Sequence, residues 1–338
     1  MGAIMYDPGK CTLCGECLAG CAFLGFSPDE AMDAMTALAQ GETPGWLDRC
    51  MTCYACTERC PNGADPFSLI CRRHEERGAY VPAEVVRGVH AHFSAQGEFT
   101  PPALSGTVVS ACTIYNVTPE SYTSKIFAGL PLVRGRHFFC NVLYTHLGNL
   151  SLYVDGLARF VGNLAATGAD RVVLTHEDCW AAVKEAVARG IEIPFTPVHL
   201  YEYLLEYLDA HPDEVRPLGI SVAFQRPCAA RFSPEKDALA DEIFSRIGVT
   251  RAARKYDRED ALCCGMGVAG LPAARDAMGP FRDANIADAK AHGADLLACL
   301  CPMCMGALKA QCDAAGIIPV FLVDLVRAAL GEIALPGA

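Results

Sequence analysis

Residues 11–21 read CTLCGECLAGC and residues 50–60 read CMTCYACTERC. Both runs have the spacing C-x2-C-x2-C-x3-C, formed first by Cys11, Cys14, Cys17 and Cys21 and again by Cys50, Cys53, Cys56 and Cys60. Three thiolates on a tight loop reach three corners of one metal centre, while the fourth, displaced by a turn, points at a neighbouring centre. Zinc sites use pairs of cysteines rather than a triplet plus one, so the pattern points to iron and sulfide.

This is the spacing of a bacterial two-cluster ferredoxin. It assigns Cys11, Cys14, Cys17 and Cys60 to one cubane [4Fe-4S] cluster, and Cys50, Cys53, Cys56 and Cys21 to a second. Between the runs, Ser27 reads as a helix N-cap ahead of Pro28-Asp29-Glu30 and Ala31 to Gln40, with Gly41 as a stop. A helix there makes residues 1–80 a mainly helical ferredoxin-like domain. The second run ends in Cys60-Pro61, whereas Cys21 is followed by Ala22. Two cubanes store and pass single electrons, so bond chemistry must be sought downstream.

The chain of 338 residues carries 19 cysteines, an odd number on a polypeptide far too long for a disulfide-stapled miniprotein, which makes metal ligation the leading account. Nine of them fall in the first 80 residues. Residues 81–104 hold Pro82, Gly97, Pro101 and Pro102 and read as a linker, with an amphipathic helix between Glu84 and Phe93. From residue 105 to 338 the pattern changes to α/β. Gly106 to Ala111, Arg171 to Leu174, Ile220 to Phe224 and Leu296 to Leu300 read as short buried strands, each followed by a turn or helix. This region also repeats itself. Ala169 to Cys179 aligns with Ala294 to Cys304 at an offset of 125, Cys112 with Cys228 at 116, and Cys140 with Cys264 at 124, the pattern of two duplicated α/β units.

The second copy carries a further constellation: Cys228, then 34 residues, Cys263-Cys264-Gly265, then 35 residues, and Cys301-Pro302-Met303-Cys304. Adjacent cysteines fit an ordinary cubane poorly, so Cys263-Cys264 points to an unusual cluster or a bridging thiolate. Gly265 lets the backbone approach closely, and Pro302 starts a helix whose amides favour thiolate charge. Gly265 to Gly270 also matches G-x-G-x-x-G, but it follows two cysteines rather than a buried strand and reads as a loop covering the cluster.

These residues resemble the CCG-domain proteins, of which the B-type polypeptide of heterodisulfide reductase is the best-known kind. The resemblance implies that Cys228, Cys263, Cys264, Cys301 and Cys304 hold a noncubane [4Fe-4S] cluster that binds substrate sulfur and forms the catalytic centre. Ferredoxin first and CCG second on one chain is similar to a fusion of the C-type and B-type polypeptides of heterodisulfide reductase, to its D-type polypeptide, and to the C-type polypeptide of anaerobic glycerol-3-phosphate dehydrogenase. It is similar too to the iron-sulfur polypeptide of the membrane complex linked to sulfite reduction. Heterodisulfide reductase proper has two intact motifs; this chain has one. In the first copy Cys112 and Cys179 persist, but the Cys-Cys-Gly position reads Phe139-Cys140-Asn141 and His176 stands opposite Cys301. That copy is either retained for packing or a conventional metal site of Cys112, Cys140, His176 and Cys179. Cys71, Cys299 and Cys312 read as buried small side chains.

A net charge of −11 argues against a nucleic-acid partner. The basic run Arg72, Arg73, His74 and Arg77 is interrupted by Glu75 and Glu76, and reads as a solvated helix face. No apolar run approaches the ~18 residues of a membrane span, and no secretory leader is read at the start. The expected location is cytoplasmic, or peripheral on the inner face of the membrane through a partner subunit. The expected function is an oxidoreductase subunit passing electrons between the two cubanes and the noncubane cluster, which acts on a disulfide or related sulfur substrate. Its partners are a membrane cytochrome b-type subunit or flavoprotein and a soluble electron donor or acceptor. The alternative is a relay without substrate chemistry, docked to a membrane cytochrome or quinone-linked partner.

Overall fold

In the computed structural model, residues 5–78, 80–95, 97–269 and 271–335 are described. Gly270, the last glycine of the G-x-G-x-x-G match, lies outside them.

The N-terminal part is helical, with no strand among its described residues: α1 (Glu16–Ala19), α2 (Pro28–Ala39), α3 (Ala55–Glu58) and α4 (Pro66–Arg77). The expected cap forms at α2. Ser27 Oγ accepts from the Glu30 amide at 3.3 Å and the Glu30 carboxylate accepts from the Ser27 amide at 2.8 Å, a reciprocal box that satisfies two end amides. Ala31, Ala34, Met35 and Leu38, at helical spacing, pack against Leu69 and Ile70 of α4 and line the floor beneath the cysteine loops. Along the basic run on α4, Arg72 is exposed, while Arg73 pairs with Glu76 and Arg77 with Asp48, both acids half-exposed. His74 is buried against Tyr80 with ring centroids 3.8 Å apart, and burial pulls its pKa down to about 3, so it carries no charge at neutral pH.

The linker holds α5 (Ala83–Phe93) and is no free tether. Val85, Val86, Val89 and Phe93 pack on the first α/β core, and the Arg136 guanidinium donates to the Ser94 carbonyl.

Two parallel sheets follow. The first unit runs β1 (Thr107–Ser110), β2 (Leu132–Val133), α6 (Leu143–His146), α7 (Leu150–Ala165), β3 (Arg171–Leu174), α8 (Glu177–Ala188), β4 (Thr196–His199) and α9 (Leu200–Ala210). The second runs β5 (Ile220–Gln225), α10 (Asp237–Arg246), β6 (Val249–Arg251), α11 (Pro272–Ala277), α12 (Gly279–Ala291), β7 (Leu296–Cys299), α13 (Pro302–Ala315), β8 (Ile318–Phe321) and α14 (Leu322–Ala329). The sheet orders are β2-β1-β3-β4 and β6-β5-β7-β8, the same order in both units. Their inner faces share one core, in which Val109, Val173 and Val198 meet Phe224, Ala298 and Val320.

The four strands anticipated from sequence are the four central ones, buried on both faces and read as continuous apolar runs. The four edge strands were not anticipated. They are short, and β4 and β8 carry Pro197 and Pro319, which only an edge tolerates because proline cannot donate to a ladder.

The ferredoxin-like part is locked to the second α/β unit by buried charge. Glu58 of α3 accepts from Arg226 at 2.8 Å and Arg231 at 2.5 Å; Arg226 also pairs with Asp237, and Arg231 donates to the Ala261 carbonyl. Removing one partner of a buried network strands the other charges, whereas an exposed pair adds little. Glu58→Ala is therefore expected to lower anaerobic urea stability by about 3 kcal/mol. Arg246→Ala, which removes an exposed guanidinium paired with Asp209 and Glu242, should leave the urea midpoint unchanged.

Candidate iron-sulfur and thiol centres

The two N-terminal loops share one backbone conformation. The residues two and four positions beyond the first cysteine are left-handed in both: Leu13 and Gly15 (φ 57° and 75°), Thr52 and Tyr54 (φ 47° and 62°). Three of the four are not glycine, a cost that a loop accepts when its cysteines and amides must face inward. One such amide, that of Thr52, donates to Cys50 Sγ at 3.4 Å.

The eight thiols fall into two adjoining groups. Cys17 feels the charges of Cys60, Cys14 and Cys11, and burial pushes it up to about 12. Cys21 feels Cys53, and burial pushes it up to about 11; Cys50 feels Cys53 and Cys21. Cys56 senses Cys50, Cys53 and Cys21 from the second group and Cys17 from the first. Burial resists ionising Cys17, Cys21, Cys50, Cys53 and Cys56, so the groups call for a cation among them. The chemistry of this donor set fits iron-sulfur clusters.

The five C-terminal cysteines also converge. Cys228 opens the turn after β5, Cys301 is the N-cap of α13 after β7, and Pro302 takes the first helical position as anticipated. Their sulfurs form a connected series: Cys228 contacts Cys263, Cys263 contacts Cys264, Cys264 meets Cys304 at 3.2 Å, and Cys304 contacts Cys301. The Gly265 amide donates to Cys263 Sγ at 3.3 Å from a left-handed backbone (φ 71°). In each sheet the chain leaves the first central strand for one edge and returns to the other. The crevice between β5 and β7, flanked by Cys228 and Cys301, is thus a topological switch point, where open α/β sheets bind ligands. Beside it opens a cavity of about 580 Å³ lined by Val117, Met266, Pro302, Met303 and Lys309.

Between the second ferredoxin loop and this crevice stands His146, which sequence reasoning missed. Its Nδ1 lies 3.2 Å from Thr52 Oγ1, and its Nε2 lies 3.1 Å from Tyr54 Oη and 3.9 Å from Cys228 Sγ. Tyr54 Oη is 2.6 Å from Thr145 Oγ1, whose own proton goes to the Val142 carbonyl. Donor counting then makes Tyr54 the donor to Thr145 and places the imidazole proton on Nε2, aimed at Tyr54 and Cys228. Cys53 feels the charge of Cys228, and Cys263 that of Cys53, so the two sets of thiols are near neighbours across this bridge. His146 belongs to no cysteine motif, and no sequence signal marks it.

His176, aligned with Cys301 by the repeat, turns away from its own copy. Its Nε2 is 3.1 Å from Cys301 Sγ and its Nδ1 is 3.5 Å from Asp178. Burial opposes its charge, but Asp178 and the Cys301 sulfur outweigh burial and push its pKa up to about 10. Of the two readings of the first copy, the set of four is not assembled here: Cys112, Cys140 and Cys179 lie within 4.8 Å of one another and His176 faces Cys301 instead. Cys71, Cys299 and Cys312 are fully buried, as expected.

A family model for a 4Fe-4S dicluster domain matches residues 10–64, and one for a cysteine-rich (CCG) domain matches residues 222–309. The first span encloses all eight ferredoxin-type cysteines and the second all five of the C-terminal constellation; Cys112, Cys140 and Cys179 lie in neither. The chain thus carries iron-sulfur domains with electron-transfer capacity, a combination consistent with the heterodisulfide-reductase-like proteins. No curated protein matches. A crystal structure described as that of a hypothetical protein from Helicobacter pylori is similar, with a TM-score of 0.60 at 13% identity, covering 90% of this chain and 68% of that one. At that identity the likeness is one of fold. No helix among the described residues is long and apolar enough to cross a membrane.

The His146 bridge is closed by Gly267, where an added Cβ would lie 2.6 Å from the imidazole Cγ. Gly267→Ala must displace the ring and is expected to destabilise the protein by about 1–3 kcal/mol in anaerobic unfolding. Gly279→Ala, with open space at its Cβ, serves as the silent control.

Proposed function

We propose that this chain is an oxidoreductase subunit that carries electrons between two cubane [4Fe-4S] clusters and a noncubane [4Fe-4S] cluster acting on a disulfide or related sulfur substrate. Cys11, Cys14, Cys17 and Cys60 hold the first cubane; Cys50, Cys53, Cys56 and Cys21 hold the second. Cys228, Cys263, Cys264, Cys301 and Cys304 hold the third centre. The division of labour follows the chain: 1–80 for the ferredoxin-like part, 81–104 for the linker, and 105–338 for two α/β units that arose by duplication. The identical sheet orders and near-equal sequence offsets support that duplication.

When bound, the clusters supply one-electron reservoirs and an iron site for substrate sulfur. The protein's own groups arrange the path and the approach. Thr52 and Tyr54 come from the second ferredoxin loop itself, so the same backbone that carries Cys50 and Cys53 also holds His146 against Cys228. That shared support is the observation that carries the reading, because a buried, hydrogen-bonded bridge between the second ferredoxin loop and the crevice suits electron transfer between them. His176 Nε2 faces Cys301 Sγ at 3.1 Å, with Asp178 3.5 Å from its other nitrogen. The cavity at Met266 and Met303 offers an apolar wall to an incoming thiol compound, with the Lys309–Asp313 ion pair at its edge. Electrons enter or leave through partners of the class of a membrane cytochrome b-type subunit, a flavoprotein or a soluble carrier.

Anaerobically purified protein is expected to contain about twelve irons per chain, and Cys301→Ser about eight. Titration with a disulfide and its thiol should perturb the paramagnetic signal of the C-terminal centre and leave the cubane signals in place. An unperturbed signal combined with fast reduction of a quinone-linked acceptor would favour the pure relay, and colourless iron-free protein would refute both.

A further inference from the structure

We infer that the sulfur compound taken up beside the C-terminal centre is uncharged and mainly apolar, with its carbon body in the cavity along α13 and one polar atom on the Thr118 hydroxyl. This rests on the reading that the centre binds substrate sulfur, and it adds the chemistry of the rest of the molecule. The cavity adjoins the crevice through its walls. Met266 follows Gly265 directly, Pro302 and Met303 fill the interval between Cys301 and Cys304, and Met305 follows Cys304. From there the cavity continues past Gly306 and Lys309 to Asp313, a spacing of three to four residues that keeps it on one face of the helix. Its volume of about 580 Å³ is that of a site for a small molecule.

The lining decides the class of ligand. Val117 and Ile318, at 47% and 40% exposure, are two of the five large apolar side chains that stay open to solvent among the described residues, and both face this cavity. The three methionines give it an unbranched, polarisable wall that adapts to the shape of a carbon chain. The charged groups in the lining are Lys309 and Asp313, and the ammonium donates to both carboxylate oxygens at 2.8 Å. A ligand carboxylate, sulfonate or phosphate would thus leave water for a wall whose cation is already engaged, which burial penalises. An alkyl body gains there instead, by about fourfold in affinity for each buried methylene.

One polar group of the lining lacks a partner. Thr118 is 4% exposed, and its hydroxyl makes no hydrogen bond, although its carbonyl accepts from the Ser121 amide at 3.2 Å. Buried hydroxyls seldom stand unpaired in a folded protein. A ligand oxygen, such as that of an alcohol or an amide, satisfies the Thr118 hydroxyl and orients an otherwise apolar body in the cavity.

The test titrates the iron-loaded full chain anaerobically with propane-, butane- and pentanethiol, 4-mercaptobutan-1-ol and 3-mercaptopropanoate, following the paramagnetic signal of the C-terminal centre. The half-saturating concentration is expected to fall about fourfold with each added methylene, and 3-mercaptopropanoate to need roughly tenfold more than butanethiol. Val117→Asp should weaken pentanethiol by about tenfold at unchanged iron content. Val187→Asp, at an exposed valine outside the lining, should alter neither. Thr118→Val should weaken 4-mercaptobutan-1-ol by about fivefold and spare pentanethiol. A flat alkyl series, or a preference for 3-mercaptopropanoate that Lys309→Met abolishes, overturns the inference while the sulfur reading stands. A signal that none of the thiols perturbs refutes that reading and the inference with it. If the variants lose iron through misfolding, the alkyl series on the unaltered protein decides.

Discussion

A buried thiolate is unstable unless a cation stands beside it. Folding gathers sixteen thiols into four neighbourhoods: two adjoining groups in the ferredoxin-like loops, a series of five at one sheet crevice and a trio at the other. Without a metal, burial holds Cys50 and Cys56 above the ordinary thiol pKa, while hydrogen bonds from neighbouring thiols hold Cys112 and Cys301 below it. With one, the binding free energy becomes folding free energy. Of the seven non-glycine left-handed residues among the described ones, five (Leu13, Thr52, Tyr54, Cys112 and Asn141) lie next to or within these neighbourhoods, where ligation can offset the strain.

The same constraint shapes how the parts meet. The ferredoxin-like part presents its second loop, and the residues between that loop's cysteines, Thr52 and Tyr54, become the seat for His146. The Glu58 network then fixes α3 against Arg226 and Arg231, two residues that bracket Cys228 in sequence. Electron transfer between centres needs a short, fixed separation, and a buried ion network with directional guanidinium bonds holds one better than an apolar patch that can slide.

The two α/β units show how one architecture arranges different sets of cysteines. Each has the sheet order in which two central strands diverge at their carboxyl ends, and each places cysteines there. The second unit keeps five thiols in an extended series. In the first, Phe139 precedes Cys140 where the second has adjacent cysteines, and its three thiols lie within 4.8 Å of one another. The residue that would have extended the set, His176, reaches across to Cys301, so the first unit contributes to the second unit's crevice.

Much of this was legible in the amino-acid order. The cysteine spacings, the capping box at Ser27, the four central strands and the internal offset depend on contacts within a few residues or on runs buried on both faces, and these leave a local signature. The edge strands left none, because two- to four-residue segments carrying Pro197 or Pro319 look like loops until a neighbouring strand pairs with them. Which thiols share a neighbourhood across distant segments, that His146 stands between Tyr54 and Cys228, and that His176 faces Cys301 rather than Cys112, were decided only by tertiary structure. Those contacts join residues 82, 92 and 125 positions apart, and their distances are set by packing between layers, which no spacing along the chain encodes.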